Sequence, residues 1–569
     1  MPFISLVNGT MTSAFALNSG AIPLGPGATA PLLNNAATPY VLNNPRLFDS
    51  SNAQYSSYTG DAFGSSIDSN STYVAAGVYD EDQNTSGGWE FSTGGGAIYD
   101  ANTGALLFSI LNPNPRDAYE DQTTFNTYFN PNNINWTGAD KFGQYVSVTD
   151  SRAIFSSNES YGSGSSTILG AGALYTYELP GGGQKKIIRS PFINQTTPGR
   201  YVSGLFNMSS LSKETYQDTF TIGASPEAHP VTGLVVGSGS TNKSYGGCVL
   251  LIDAVTDTVL NTFVAPQYMI ETDQSSSWRN GLKRSDSYTA IYGGEFSTSA
   301  QNSDYVVAKG PALANGQAIV HVFDRLGSHY PIHEIIQSGN FGYAICMNED
   351  YLAISDPYVA DDYGNESGKV YIYEVGTWNL LYVIDNPNAS GVTFGDRFGT
   401  RISMDGRYLS IDTNDMYATT ADHEGYTVGN GNPTSGQDKT YIYDLTDGSL
   451  IYRVDDSGGS DTELNNFKLF VGAIAANNNG RDRDGAIYAY NIPTTSDWQN
   501  STLVNQLDNP NPLGTSEGDN YGGAVAISNN LAIVSARYES DGGGLNSGKV
   551  YIYDVSDATA SSLKYTISN

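Results

Sequence analysis

The feature that most constrains this chain is a short strand pattern that returns eight times, near Ile98, Leu174, Val249, Ile319, Val370, Tyr441, Ile487 and Val550. Its clearest spellings are Gly368-Lys369-Val370-Tyr371-Ile372-Tyr373 and Gly548-Lys549-Val550-Tyr551-Ile552-Tyr553. In the second copy Val550 and Ile552 fall on one face of a strand, and Tyr551 and Tyr553 on the other. Both faces are apolar, so the strand is expected to be covered on both sides. A chain that repeats such a unit stacks its copies, because no single copy can bury both faces alone.

Around each pattern the same order recurs. In the last copy Asp519-Asn520-Tyr521-Gly522 opens the unit. Then come AVAIS (524–528), the turn Asn529-Asn530, LAIVSA (531–536), a polar loop, KVYIYDV (549–555) and LKYTI (563–567). These are four strands, A to D, with an A–B link of tight-hairpin length. Asp396-Arg397-Phe398-Gly399, Gly339-Asn340-Phe341-Gly342, Asp140-Lys141-Phe142-Gly143 and Asp61-Ala62-Phe63-Gly64 open other copies, with A–B turns placed at Ser69-Asn70 and Asp405-Gly406. The copies near Val249 and Ile319 lack a Phe-Gly opening, and the copy near Ile487 shows little strand A before LNNFKLFVGA.

The expected fold is all-β, a single β-propeller of about eight four-stranded blades, with seven as the alternative. Spacing of about 65 residues against the usual ~40–50 per blade predicts long B–C loops. YVLNNP (40–45) reads as a strand D ahead of the first strand A, able to join the first or last blade and close the ring. Residues 40–569 form the propeller, and residues 1–39, which carry no charged side chain, form an extended N-terminal arm.

Composition agrees. The chain holds 63 Gly and 40 Tyr but only 15% charged residues, against a usual ~25%. That mixture disfavours helices. The net charge of −31 excludes recognition by phosphate neutralisation and docking on anionic lipid, so neither nucleic acid nor a membrane is an expected partner. No run of 18 apolar residues is present, hence no spanning helix is expected. Arg46 is the first cationic side chain, so the basic region of a secretory leader is not seen. Cys248 and Cys346 lie in different repeats and are expected to be buried thiols.

The Phe-Gly pairs at 63–64, 142–143, 341–342 and 398–399, with the Gly-x-Val-Tyr-x-Tyr strands at 368–373 and 548–553, resemble the FG-GAP repeat of integrin α subunits and microbial surface proteins. The resemblance covers roughly residues 40–569 and implies a binding propeller. The spellings SGKVYIYD and DNPNP are also similar in style to repeats of marine tailed-phage structural proteins. Relatives often hold Ca²⁺ in an acidic hairpin loop, but these A–B turns are too short to wrap a cation needing six to eight oxygens. Acidic residues instead fill B–C loops: Asp80, Glu81 and Asp82; Asp361, Asp362 and Glu366; Asp482 and Asp484. NNNGRDRDG (477–485) comes nearest to a metal loop, yet Arg481 and Arg483 interrupt it.

Catalytic motifs are missing. His329 and His333 have zinc-helix spacing, but Tyr330 stands where the Glu belongs and Pro331 opposes a helix. No nucleophile elbow, P-loop or dinucleotide loop occurs among His229, His321, His423 and the rest of the chain. The chain is therefore expected not to be an enzyme, with no catalytic, cofactor-binding or metal residue assigned and no cofactor. The expected function is a virion structural protein of a phage tail or tail appendage. Its arm would dock on other virion proteins, and loop aromatics such as Tyr79, Trp89, Tyr358, Tyr363 and Tyr538 would meet a host glycan or protein. A bacterial surface or secreted adhesin is the alternative, and a carbohydrate-active enzyme the third reading.

Overall fold

The computed structural model describes residues 4–7, 10–13, 40–43, 63–79, 83–85, 88–90, 93–114, 140–159, 161, 171–183, 185–192, 211, 215–224, 248–264, 299–310, 317–360, 366–387, 396–413, 439–454, 461–465, 468–473, 485–491, 503–510, 519–528, 531–539, 548–554 and 562–568. Among the described residues eight blade sheets follow one another, seven of them with four antiparallel strands ordered A-B-C-D. Blade 1 is Ile67–Ser69, Tyr73–Val78, Gly95–Asp100 and Leu106–Leu111, and blade 5 is Ile345–Met347, Tyr351–Asp356, Lys369–Glu374 and Leu380–Asp385. The last blade is Tyr521–Ser528, Leu531–Ala536, Lys549–Asp554 and Ser562–Ser568. All eight predicted pattern sites are strand C, which settles the count at eight. Blade 3 shows three strands among the described residues, Thr219–Ala224, Cys248–Asp253 and Thr258–Val264.

Each junction between blades holds its own apolar cluster. In the last blade Val550 and Ile552 pack with Phe63, Ile67 and Val74 of blade 1, while Tyr551 and Tyr553 pack with Phe470 and Ile487 of blade 7. One strand C thus serves two junctions with its two faces, as the alternation requires. Fully burying one such aliphatic side chain contributes ~1.5–3 kcal/mol. The cluster joining blades 8 and 1 closes the ring. Tyr40–Asn43 then pairs in parallel with Ser562–Ser568, so the N-terminal strand extends the last blade, one of the two places expected for it. Within 1–39, Ile4–Val7 pairs with Thr10–Ser13 as an antiparallel hairpin, a local turn-back that the expectation of an extended arm did not include.

Two readings are corrected. Blade 7 does have a strand A, Asp461–Asn465, paired with Lys468–Ala473. It was missed because DTELN offers one apolar side chain, Leu464, and its Thr462 is buried as well. Blade 4 likewise opens with the short polar strand Ser299–Gln301. Two A–B turns also fall later than placed. Asp405 pairs with Tyr408, so Gly406-Arg407 is the turn, and Asn70 N–H donates to the Tyr73 carbonyl, so the turn centres on Ser71-Thr72. Cys248 and Cys346 are buried and no disulfide joins them. Among the described residues no helix is long and apolar enough to cross a membrane.

Candidate functional site

The junction geometry explains the recurrent motifs. The Gly before strand C meets the backbone of the next blade's opening: a Cβ on Gly368 would lie 2.2 Å from the Phe398 carbonyl oxygen. The Gly after the aromatic faces back. A Cβ on Gly399, whose φ is +93°, would lie 2.9 Å from Ser355 Cβ and 3.1 Å from Val370 Cγ2. Phe398 itself is buried edge-on against Tyr441 and Tyr443 within the cluster shared with blade 5. The two motifs thus serve the junction in different ways, one by close backbone approach and the other by a ring inserted between blades.

An asparagine after strand D adds a polar clamp. Asn386 Nδ2 donates to Asp396 Oδ2 (2.9 Å) and to the Ser367 carbonyl (3.3 Å), both buried. Asn112 does the same to Asp140 and Thr93, and Asn509 donates to Asp519. The recurring Asn-Pro spelling therefore joins one blade to the Asp that opens the next. Blade 5 opens with Gly339 where blades 1, 2, 6 and 8 place Asp. There the carboxylate comes from strand B: Asp356 accepts backbone hydrogen bonds from Tyr358, Asn340 and Phe341. A Cβ on Gly339 would strike its Oδ2 at 2.5 Å. Burial holds the Asp356 carboxyl above its usual range.

The two rims of the ring differ. On one lie the A–B and C–D turns. Asn70 Oδ1 accepts from the Thr72 and Tyr73 amides, and its Nδ2 donates to the Thr149 carbonyl of blade 2. Asn302 and Asn348 repeat this, donating to the Asn348 and Gly406 carbonyls of the following blades. One side chain thus shapes its own turn and ties it to the next blade. The opposite rim carries the B–C and D–A connections, which run as far as 413–439 and 265–298. A small hairpin, Gln83–Thr85 with Gly88–Glu90, projects within the first B–C connection.

At the base of this loop rim, cations stack on tyrosines. Lys141 lies over Tyr79 (5.3 Å), Arg397 over Tyr358 (4.8 Å), Arg189 over Tyr161 (5.1 Å) and Arg537 over Tyr538 (4.8 Å). Lys141 and Arg397 immediately precede the Phe-Gly pair and reach back to the preceding blade. Beneath them are buried carboxylates. Glu159 accepts from the Tyr175 hydroxyl and pairs with Arg189. Glu539 accepts from the Tyr551 hydroxyl and pairs with Lys549 at 2.7 Å. Burial lifts the Glu539 carboxyl to about 7 against the opposing pull of the Lys549 ammonium.

Of the loop residues singled out in the sequence, Tyr79, Tyr358 and Tyr538 come to this rim. Tyr363 and the acidic residues Asp80, Glu81, Asp82, Asp361, Asp362, Asp482 and Asp484 lie outside the described residues, as do His229 and His423. Trp89 is described only as backbone, opposite Asn84. Glu366 is ion-paired with Arg397 at 3.0 Å. The histidines are scattered. His329 Nδ1 lies 3.0 Å from Asn261 Oδ1, His333 stacks on Trp378, and His321 is buried and pushed down to about 3, hence neutral. Among the described residues no three His, Cys, Asp or Glu side chains converge as a metal-ligand set.

Fold and junction together define a closed eight-bladed β-propeller. Residues 512–553 match the FG-GAP repeat family, and the Phe-Gly openings at 63–64, 142–143, 341–342 and 398–399 are similar to the Tyr521-Gly522 opening within that matched segment. No curated protein sequence matches it. Among solved structures it is similar to a chain of a mitotic checkpoint complex, with 10% identity over 72% of this chain and 86% of that one and a TM-score of 0.36. It is also similar to an acylaminoacyl peptidase in complex with a chloromethyl ketone, with 9% identity over 88% and 58% and a TM-score of 0.39. The Pyrococcus horikoshii acylaminoacyl peptidase gives 8% identity over 88% and 58%, with the same TM-score. The chain spans little more than half of the peptidase chains, and overlap this slight defines no common activity.

Proposed function

We propose that this propeller is a non-catalytic recognition and assembly module whose loop rim is the contact face. The observation that carries the reading is the unequal distribution of chain between the rims. One rim is closed by tight turns that are hydrogen-bonded blade to blade, while the other gathers the long connections on a rigid base. Loops on a rigid scaffold are where binding residues concentrate. The finer assignment is a virion structural protein, a tail or tail-appendage component. The uncharged segment 1–39 fits an arm docking on the particle, and the SGKVYIYD and DNPNP spellings support the same assignment. The FG-GAP repeat match favours a second reading, a bacterial surface or secreted adhesin.

Immunogold electron microscopy with antibody against residues 40–569 tests the assignment. Gold on virus particles is expected. Gold confined to cell surfaces would replace the virion reading with the adhesin. Release of reducing ends from host polysaccharide by the purified protein would overturn its non-catalytic character.

A further inference from the structure

The repeats serve as an internal control for what the fold itself requires. The position after the aromatic-Gly pair holds Ser65, Gln144, Thr400 and Gly523 in blades 1, 2, 6 and 8. In blade 5 it holds Tyr343, a residue 42% exposed at the loop rim. Packing in four other blades is satisfied by a small or polar side chain there, so the junction does not explain a large aromatic. Tyr343 stands edge-on to Tyr358 with ring centres 5.7 Å apart. Arg397 covers Tyr358 from blade 6 and is oriented by Glu366, whose side chain is 45% exposed. The Ala360–Glu366 bridge closes the base of the loop beside them.

We propose that Tyr343, Tyr358, Arg397 and Glu366 form a binding site for a neutral pyranose glycan between blades 5 and 6. This rests on the reading of the loop rim as the contact face. An aromatic face takes the apolar C–H face of a sugar ring, and a tyrosine presents that face at low entropic cost. The guanidinium and carboxylate beside it supply donors and acceptors suited to vicinal hydroxyls. The ligand is neutral because the Arg397–Glu366 pair carries no net charge. Asp361 and Asp362 adjoin the site in sequence, and a chain of net charge −31 repels an acidic polymer.

Affinity electrophoresis of the full chain through gels containing mannan, galactan or dextran, with alginate and heparin as anionic comparators, tests the site. Wild type is expected to be retarded by at least one neutral polysaccharide. Tyr343→Ala and Glu366→Gln are expected to weaken that retardation at least tenfold while keeping the wild-type melting temperature. Retardation only by the anionic polymers, by none of the five, or unchanged in Tyr343→Ala overturns the site. Binding of the protein to cells or particles that survives periodate oxidation of their glycans would also overturn it. That last result would leave the contact-face reading standing, with a protein partner in place of the sugar.

Discussion

Gly342 and Tyr343 are neighbours in the chain, yet the fold decides one and leaves the other open. Gly342 has φ +84°, and a Cβ there would lie 2.9 Å from Val320 Cγ2 of blade 4. Gly64, Gly143, Gly399 and Gly522 occupy the same place, each with φ between +79° and +93°. The next residue varies from Gly to Tyr with no change in the junction. The contrast holds more widely. Positions that face the neighbouring blade are fixed by contact distances, and positions a few residues away on the loop rim are free to carry recognition.

Substitutions on either side of that line should separate the two kinds of position. The largest loss is expected for Gly368→Val. Its branched side chain would meet the Phe398 backbone, in a backbone conformation that side chains avoid. A destabilisation of at least ~3 kcal/mol by urea denaturation, or failure to fold, is the predicted result. A near-wild-type midpoint would break the contact-distance account of the motif. Phe398→Ala should cost ~3–5 kcal/mol by the same measurement, as for other fully buried aromatic rings. Asn386→Ala leaves Asp396 Oδ2 and the Ser367 carbonyl without their clamp and should cost ~1–3 kcal/mol.

Glu539 sharpens the comparison through pH. Its carboxyl sits at about 7 when folded, against an ordinary 4.5, so the native state holds a proton that the unfolded chain has lost between those values. Its contribution to stability therefore falls as pH rises through that window. Wild type should lose about 3 kcal/mol more than Glu539→Gln between pH 4.5 and 7.5. Equal losses would show that the carboxyl titrates normally. On the rim itself Tyr343→Ala should change stability by less than ~0.5 kcal/mol, the smallest effect of the five.

Much of the fold was legible because strand C writes itself into every repeat. Strand C was visible eight times over, since both of its faces are buried and its alternation is unbroken. The strands A of blades 4 and 7 were not, because SAQ and DTELN are short and polar. Each is tied instead to the blade beside it by a side-chain-to-backbone hydrogen bond. Ser403 Oγ accepts from the Leu464 amide, and Gln301 Nε2 donates to the Thr219 carbonyl. Such pairing leaves no period-two signal. The Asn-Pro spelling was noticed as style, but its role depends on an Asp ten or more residues away in sequence, which spacing alone does not connect. The rim site was legible only in part. Tyr358 stood out as a loop aromatic, whereas Tyr343 follows the Phe-Gly motif directly and reads as junction until its exposure is known.

The most direct test of the contact face uses the buried native thiols as a silent background. Cys248 and Cys346 are 0% and 2% exposed, so a cysteine placed at exposed Ala360 on the loop rim or exposed Thr103 on the turn rim can be coupled alone to a large polyethylene glycol maleimide. Binding of each conjugate to host cells and virus particles would then be compared with that of uncoupled protein. Loss of binding for the Ala360→Cys conjugate with retention for the Thr103→Cys conjugate is the predicted result. Loss at Thr103→Cys with retention at Ala360→Cys would place recognition on the opposite rim and contradict the account.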